Sequence, residues 1–297
     1  MVVRIVSAVI GIIILVGILM CPYTIVLAVA ASVLSALAVW ELLHNTGKVK
    51  SRVQTVVGMV FSAAGVMMMY FVRKTLTEKY LYMDAEVRQL LMILLALPIV
   101  YGIVTAVLYF INRKNTTVND ACYGYLLTLY PTVGFGCMVM LREMFNHGLW
   151  YLIVLLVIAW ISDTGAYFVG TFLGKHKMAP KISPKKSWEG FFGGWILSVL
   201  CAVGVFILRF EIDNGYGDGL FYTLRFFLPV MVVLAPLSVV GDLLASVIKR
   251  KCGVKDFGNI MPGHGGVMDR FDSVIFIAPI LYVIAANADD IMALLAR

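Results

Sequence analysis

Val2-Val-Arg-Ile-Val-Ser-Ala-Val-Ile-Gly-Ile-Ile-Ile-Leu-Val-Gly-Ile-Leu-Met20 is a nineteen-residue run carrying a single charge, Arg4. Crossing the hydrocarbon core of a bilayer takes roughly 20 apolar residues in a helix. The run has that length, and no small-x-small cleavage site follows it, so it reads as a membrane span and not as a cleaved signal peptide. The rest of the chain has the same character. Of 297 residues, 61% are hydrophobic and 14% charged, with a mean hydropathy of +0.93. A soluble domain is nearer to about 45–50% apolar and 25% charged. These values exclude a soluble enzyme, a disordered chain and a coiled coil. They also argue against a nucleic-acid partner despite the net charge of +7. The expected fold class is all-α, a polytopic integral membrane protein.

Nine spans are expected, at about 2–20, 22–43, 53–72, 88–111, 121–141, 149–173, 188–210, 223–249 and 272–295. Pro22 suits a helix start. Pro98, Pro131, Pro229, Pro236 and Pro279 fall inside apolar runs, where neighbouring helices make a kink tolerable. With nine spans, the side holding the N-terminus carries sixteen Lys and Arg and the other side eight. The positive-inside rule then places the N-terminus and the two most basic loops in the cytoplasm. Polar residues able to do chemistry concentrate late in the chain. Residues 1–145 read as a helical scaffold, and 146–297 as a catalytic half with two basic cytoplasmic loops. The five Cys (21, 122, 137, 201, 252) show neither metal nor disulfide spacing. His44 and His147, near span ends and with no partner in view in the sequence, read as background; Glu41 carries no assignment, and Asp289 and Asp290 read as an interface anchor.

The densest polar stretch runs from Ser246 to Asp272. Lys249, Arg250, Lys251 and Lys255 precede a glycine-rich turn, Pro262-Gly-His-Gly-Gly266, and then Asp269-Arg-Phe-Asp272. Asp242, Ser246 and Lys249 recur at helical spacing and share one face. Asp269 and Asp272 do so as well if a helix begins there. Carboxylates are hard ligands, and Mg2+ commonly takes one or two of them plus substrate phosphates. Lys and Arg offset phosphate charge, and consecutive glycines let backbone N–H groups approach an anion. An intramembrane carboxylate is costly unless paired, hydrated or metal-bound. Asp242 therefore calls for a partner, and a cation shared with Asp269 would supply one. Each feature alone has a duller reading: a basic anchor, a plain turn, a surface ion pair. Their conjunction in one stretch points to binding of a polyphosphate.

A second stretch holds Ser162-Asp-Thr-Gly-Ala-Tyr167, and then Lys175, Lys177, Lys181, Lys185 and Lys186 ahead of Ser187-Trp-Glu-Gly190. Asp163 lies near the end of an apolar helix; it either pairs with a nearby Lys or serves a substrate or metal. The lysines either attract anionic headgroups or form a site for a lipid phosphate or nucleotide. Ser187 suits a helix cap, and Glu189 a helix start.

The Ser246–Asp272 stretch resembles the signature of the phosphatidate cytidylyltransferase (CDP-diacylglycerol synthase) family at nearly every fixed position, with Met261 where Leu, Ile or Phe is usual. Ser162–Tyr167 and Ser183–Gly190 are similar to it too, so the close resemblance covers about 160–273. The resemblance implies transfer of a cytidylyl group from CTP to phosphatidic acid, giving CDP-diacylglycerol and pyrophosphate. It implies Mg2+, with a second cation such as K+, and a homodimer in the lipid bilayer. By position, Asp242 and Asp269 would be metal ligands, with Asp272 in support. Lys249, Arg250, Lys255 and His264 would face phosphates. Asp163, Lys185, Lys186, Ser246, Gly265, Gly266 and Arg270 complete the expected substrate contacts. The lack of a long polar N-terminal extension favours a bacterial plasma membrane. Two other readings compete: a CTP-dependent polyprenol or dolichol kinase, and a transporter using Asp163 and Asp242. The transporter would favour inverted repeats, and none is visible.

Overall fold

The computed structural model describes residues 2–21, 24–49, 51–78, 85–114, 116–144, 147–212, 218–261, 263 and 265–288. Pro22, His264, Asp289 and Asp290 lie outside them. Among the described residues there are nine α-helices: α1 (Val2–Leu19), α2 (Val26–Trp40), α3 (Arg52–Glu78), α4 (Ala85–Ile111), α5 (Val118–Arg142), α6 (Gly148–Leu173), α7 (Trp188–Ile212), α8 (Asp218–Lys251) and α9 (Met268–Ala286). Among the described residues six helical segments are long and apolar enough to cross a membrane: Val26–Asn45, Arg52–Thr75, Val118–Arg142, Gly148–Leu173, Trp188–Ile212 and Leu224–Lys251. The five prolines expected in apolar runs all lie inside helices. One element departs from the all-α expectation. Between α6 and α7, β1 (Lys177–Ala179) pairs antiparallel with β2 (Ser183–Ser187), in register Lys177 with Ser187 and Ala179 with Ser183. The basic loop is thus a folded hairpin. Apolarity and charge reveal spans, but a five-residue strand of Ser, Pro and Lys leaves no such trace.

The chain forms two compact units. One comprises residues 1–145 with 249–271, and the other 146–248 with 272–297. Residues 249–271, expected in the C-terminal half, group with the N-terminal unit.

In the first unit α2, α3 and α5 are joined by buried hydroxyls. Ser35 Oγ and Ser62 Oγ are 2.6 Å apart, and Thr132 Oγ1 donates to Ser62 Oγ at 2.8 Å. The Tyr101 hydroxyl on α4 donates to Thr128 Oγ1 at 2.9 Å. Lipid offers helices no hydrophobic reason to associate, so small residues and interhelical hydrogen bonds hold them together. Thr117-Val-Asn-Asp120 caps α5 reciprocally: Asp120 N–H donates to Thr117 Oγ1, and Thr117 N–H to Asp120 Oδ2. The last turn of α2 widens into a π-helical turn over Glu41–Asn45, a local irregularity that proteins often place at functional sites.

In the second unit α6 and α7 run antiparallel along a seam of glycines. A Cβ on Gly165 would stand 3.0 Å from the Cα of Gly194, and one on Gly170 3.5 Å from the Cα of Gly190. A Cβ on Gly194 itself would collide with the Ser162 carbonyl. Large apolar side chains such as Phe172 and Ile196 point outward, as lipid-facing residues do. Gly194→Val is expected to cost about 1–3 kcal/mol through overpacking, read as a lower thermal unfolding midpoint in detergent. Gly204→Ala, on the same helix where an added Cβ would meet no neighbouring group, should leave the midpoint unchanged or raise it.

Candidate active site

The second unit presents Asp163, Lys185, Lys186, Asp242, Ser246 and Asp272. Beyond α6, Gly174 packs so tightly on Gly170 and Ser187 that a Cβ has no room, and the hairpin begins there. Ser187 Oγ accepts from Gly190 N–H at 3.2 Å and caps α7. Trp188 N–H donates to the His176 carbonyl at 2.9 Å. Glu189 accepts from the His176 ring Nδ1 at 2.6 Å and from its backbone N–H. Glu189 therefore ties the hairpin to the helix start, beyond any benefit from the helix dipole. This closure turns Lys186 toward α8, where its ammonium pairs with Asp242 Oδ2. The intramembrane Asp242 thus has a lysine partner within its own unit. Lys185, the neighbouring residue on a strand, is exposed, and Ser246 is half-buried one helical turn beyond Asp242. Asp163 Oδ2 accepts from Ser273 Oγ at 3.3 Å, while Asp272 Oδ1 accepts from Ser273 N–H at 2.8 Å. The Ser273 hydroxyl is thus one partner of Asp163.

The first unit presents Lys249, Arg250, Lys255, Gly265, Gly266, Asp269 and Arg270. α8 ends in a Schellman motif. Gly253 takes φ +71°, its N–H reaches the Arg250 carbonyl at 3.2 Å, and Val254 N–H reaches the Lys249 carbonyl at 3.0 Å. Lys249, Arg250 and Lys251 occupy the last turn, where cations favour the helix dipole. Lys249 Nζ pairs with Asp269 Oδ1 at 2.9 Å and lies 5.2 Å over the Phe257 ring. Asp269 Oδ2 accepts from Phe257 N–H at 2.8 Å and Gly266 N–H at 3.0 Å. Met261 N–H donates to the Gly265 carbonyl at 2.9 Å. Gly263 and Gly265 adopt φ +75° and +88°, conformations that favour glycine. The loop so closed borders a cavity of about 480 Å3 lined by Lys255, Asp256, Asn259, Met261, Gly263, Gly265 and Arg270.

Gly266 has a different role from the one expected. It is buried, its N–H is committed to Asp269, and a Cβ there would strike the Glu41 carboxylate. Glu41 is the residue that sequence reasoning missed. It is fully buried, and its oxygens accept from Val267 N–H at 3.0 Å and Met268 N–H at 2.8 Å. The signal was present, since a carboxylate in an apolar span requires partners just as Asp163 and Asp242 do. Those partners lie more than 220 positions away, beyond the reach of spacing. His44 stacks on Trp40 at 5.4 Å, and His147 Nε2 lies 3.0 Å from the Arg209 guanidinium.

Among the described residues no three His, Cys, Asp or Glu side chains are grouped to hold a metal. Mg2+ bound through one or two carboxylates and substrate phosphates needs no such group. Asp242 in the second unit and Asp269 in the first are each a carboxylate of the kind such binding uses. Each already faces a lysine ammonium, the kind of counter-charge a metal ion also provides.

Residues 2–287 match the model of the cytidylyltransferase family. The chain belongs to that family. Among its relatives are the phosphatidate cytidylyltransferases of Bacillus subtilis (strain 168), 36% identical over 187 residues, and Staphylococcus epidermidis, 37% identical over 174 residues. These alignments cover 63% and 59% of this chain, and 66% and 62% of the relatives. The Staphylococcus aureus (strain COL) phosphatidate cytidylyltransferase is 35% identical over 175 residues, 59% of this chain and 62% of its own. The chain thus spans a little under two thirds of the length of the curated relatives it matches. As a multi-pass membrane member of its family, it confines the polar groups described above to a few short segments.

Breaking the Lys249–Asp269 pair leaves a charge with side-chain exposure of only 6% on Asp269. Lys249→Met should lower unfolding stability by roughly 3 kcal/mol. The double variant with Asp269→Asn should lose less than the sum of the two single losses. Additive losses in chemical or thermal unfolding would show that the two groups are not coupled.

Proposed function

We propose that the protein transfers the cytidylyl group of CTP to phosphatidic acid, giving CDP-diacylglycerol and pyrophosphate. The observation that carries this reading is the cavity beside the glycine-rich loop, where Lys255 and Arg270 meet the backbone of Gly263 and Gly265. Two cations beside an exposed turn of positive-φ glycines suit a triphosphate. Family membership and the names of the relatives support CTP and phosphatidate as the pair.

In the proposed reaction a lipid phosphate oxygen forms a bond to the α-phosphorus of CTP. The bond from that phosphorus to the bridging oxygen of the β-phosphate breaks, and pyrophosphate leaves with the electron pair. The attacking phosphate is already an anion at neutral pH, so no strong base is required. Rate enhancement then comes from positioning and from offsetting charge that develops on the transferred group. Lys255 and Arg270 hold the polyphosphate, Lys249 and Arg250 add positive charge at the end of α8, and Lys185 and Lys186 meet the second anionic substrate. Asp242 and Asp269 are the proposed Mg2+ ligands; the ion, when bound, would neutralise phosphate charge and orient the leaving group. Asp163, Ser246 and Asp272 support the arrangement.

His264 is proposed as a phosphate contact from the resemblance alone. So are a homodimer and a second cation such as K+. The charge asymmetry of the loops supports a cytoplasmic location for both basic segments, and the bacterial relatives support the plasma membrane.

Purified protein with CTP, Mg2+ and phosphatidic acid should yield CDP-lipid and pyrophosphate. Product with a polyprenol and none with phosphatidic acid would instead identify a lipid kinase. Asp242→Asn and Asp269→Asn should each abolish turnover while the protein still inserts and purifies. Near-normal activity in either variant would remove that residue from the metal site. Lys185→Ala and Lys186→Ala should raise KM for one anionic substrate more than they lower kcat. Unchanged KM for both substrates would leave these lysines as headgroup anchors.

A further inference from the structure

We propose that Glu41, with Asn45, is a positioning residue that holds the glycine-rich loop in its polyphosphate-binding shape. This rests on the functional reading above and assigns a role to a segment outside the signature stretch.

Glu41 and Asn45 sit one turn apart in the π-helical end of α2 and act on both ends of the loop. Asn45 Nδ2 donates to the Phe257 carbonyl at 2.6 Å. Glu41 takes the N–H groups of Val267 and Met268, at the first turn of α9, where an anion complements the helix dipole. The intervening backbone is held by Asp269 through Phe257 N–H and Gly266 N–H. Phe257 is therefore gripped on both sides of its backbone, its carbonyl by Asn45 and its N–H by Asp269. Gly258 and Gly266 leave the space that the Glu41 carboxylate fills, since a Cβ at either position would collide with it. A buried carboxylate kept in an apolar span is expensive. A plain apolar contact would hold a helix end as well, but it could not orient two N–H groups of a loop. Gly263, Gly265, Lys255 and Arg270, which line the cavity, belong to the stretch so fixed. Glu41 itself does not line that cavity and acts through the loop.

Glu41→Gln keeps the size of the side chain. It replaces one acceptor oxygen with an NH2 donor facing a backbone N–H, and it removes the charge. The losses are of hydrogen bonds to a charged group, so kcat/KM for CTP should fall about tenfold or more. The fall should come chiefly through KM for CTP, with KM for phosphatidic acid within about twofold of wild type. Asn45→Ala should shift the same constant in the same direction, by less. Ser35→Ala, which removes a buried hydroxyl from the same helix, serves as the structural control and should leave KM for CTP unchanged. The three variants and the wild type are compared in detergent, with thermal unfolding recorded for each. A Glu41→Gln protein with wild-type KM for CTP would overturn the proposal. So would one whose two KM values rise together. If Glu41→Gln does not purify in folded form, Asn45→Ala decides by the same criterion. A wild-type protein that makes no CDP-lipid would instead defeat the functional reading.

Discussion

Two carboxylates hold the backbone on which the rest of this site depends. Glu41 and Asp269 together accept four N–H groups, those of Phe257, Gly266, Val267 and Met268. Backbone donors of a loop need acceptors when they are buried, because an unpaired polar group in an apolar interior is costly. The chain supplies acidic side chains for this purpose, and it uses glycine at 258 and 266 so that one of them fits. The charges are offset in turn: Asp269 by Lys249, and Glu41 by the start of α9. The loop can then expose Gly263 and Gly265 at its tip, with Lys255 and Arg270 beside them.

The second unit meets the same constraint by another route. A helix pair sewn together by glycines leaves no room for the connecting segment to wander, so it folds back as a hairpin. The hairpin is closed by His176 on Glu189 and by Ser187 capping α7, and this closure carries Lys186 to Asp242. In both units an aspartate proposed as a metal ligand is paired with a lysine. In a membrane protein with few charges to spare, this pattern supports the proposed reaction site over a plain interface anchor. An anchor needs cations alone, whereas the proposed binding of a metal and two phosphates calls for carboxylates beside cations.

Much of this was legible in the sequence, for identifiable reasons. A span is visible because its whole length is apolar, and the helix starts at Trp188 and Met268 fell within a few residues of expectation. Asp242, Asp269 and the basic cluster were visible because charge is rare in such a chain. The hairpin was not, since nothing in Ser-Pro-Lys-Lys-Ser distinguishes a short strand from a loop. Glu41 was not assigned, because its partners are backbone groups that carry no side-chain signature and lie more than 220 residues on. Gly266 was legible as a glycine that matters but not as to why: its missing side chain makes room for Glu41.

In the proposed reaction the nucleotidyl group, and not the terminal phosphate, passes to the lipid. CTP carrying radioactive phosphorus at the α or at the γ position distinguishes the two, with phosphatidic acid as acceptor and purified protein in detergent. Label from the α position should appear in the lipid product, and label from the γ position in released pyrophosphate. Label from the γ position in the lipid, with CDP left behind, would rule out cytidylyl transfer and make the protein a lipid kinase.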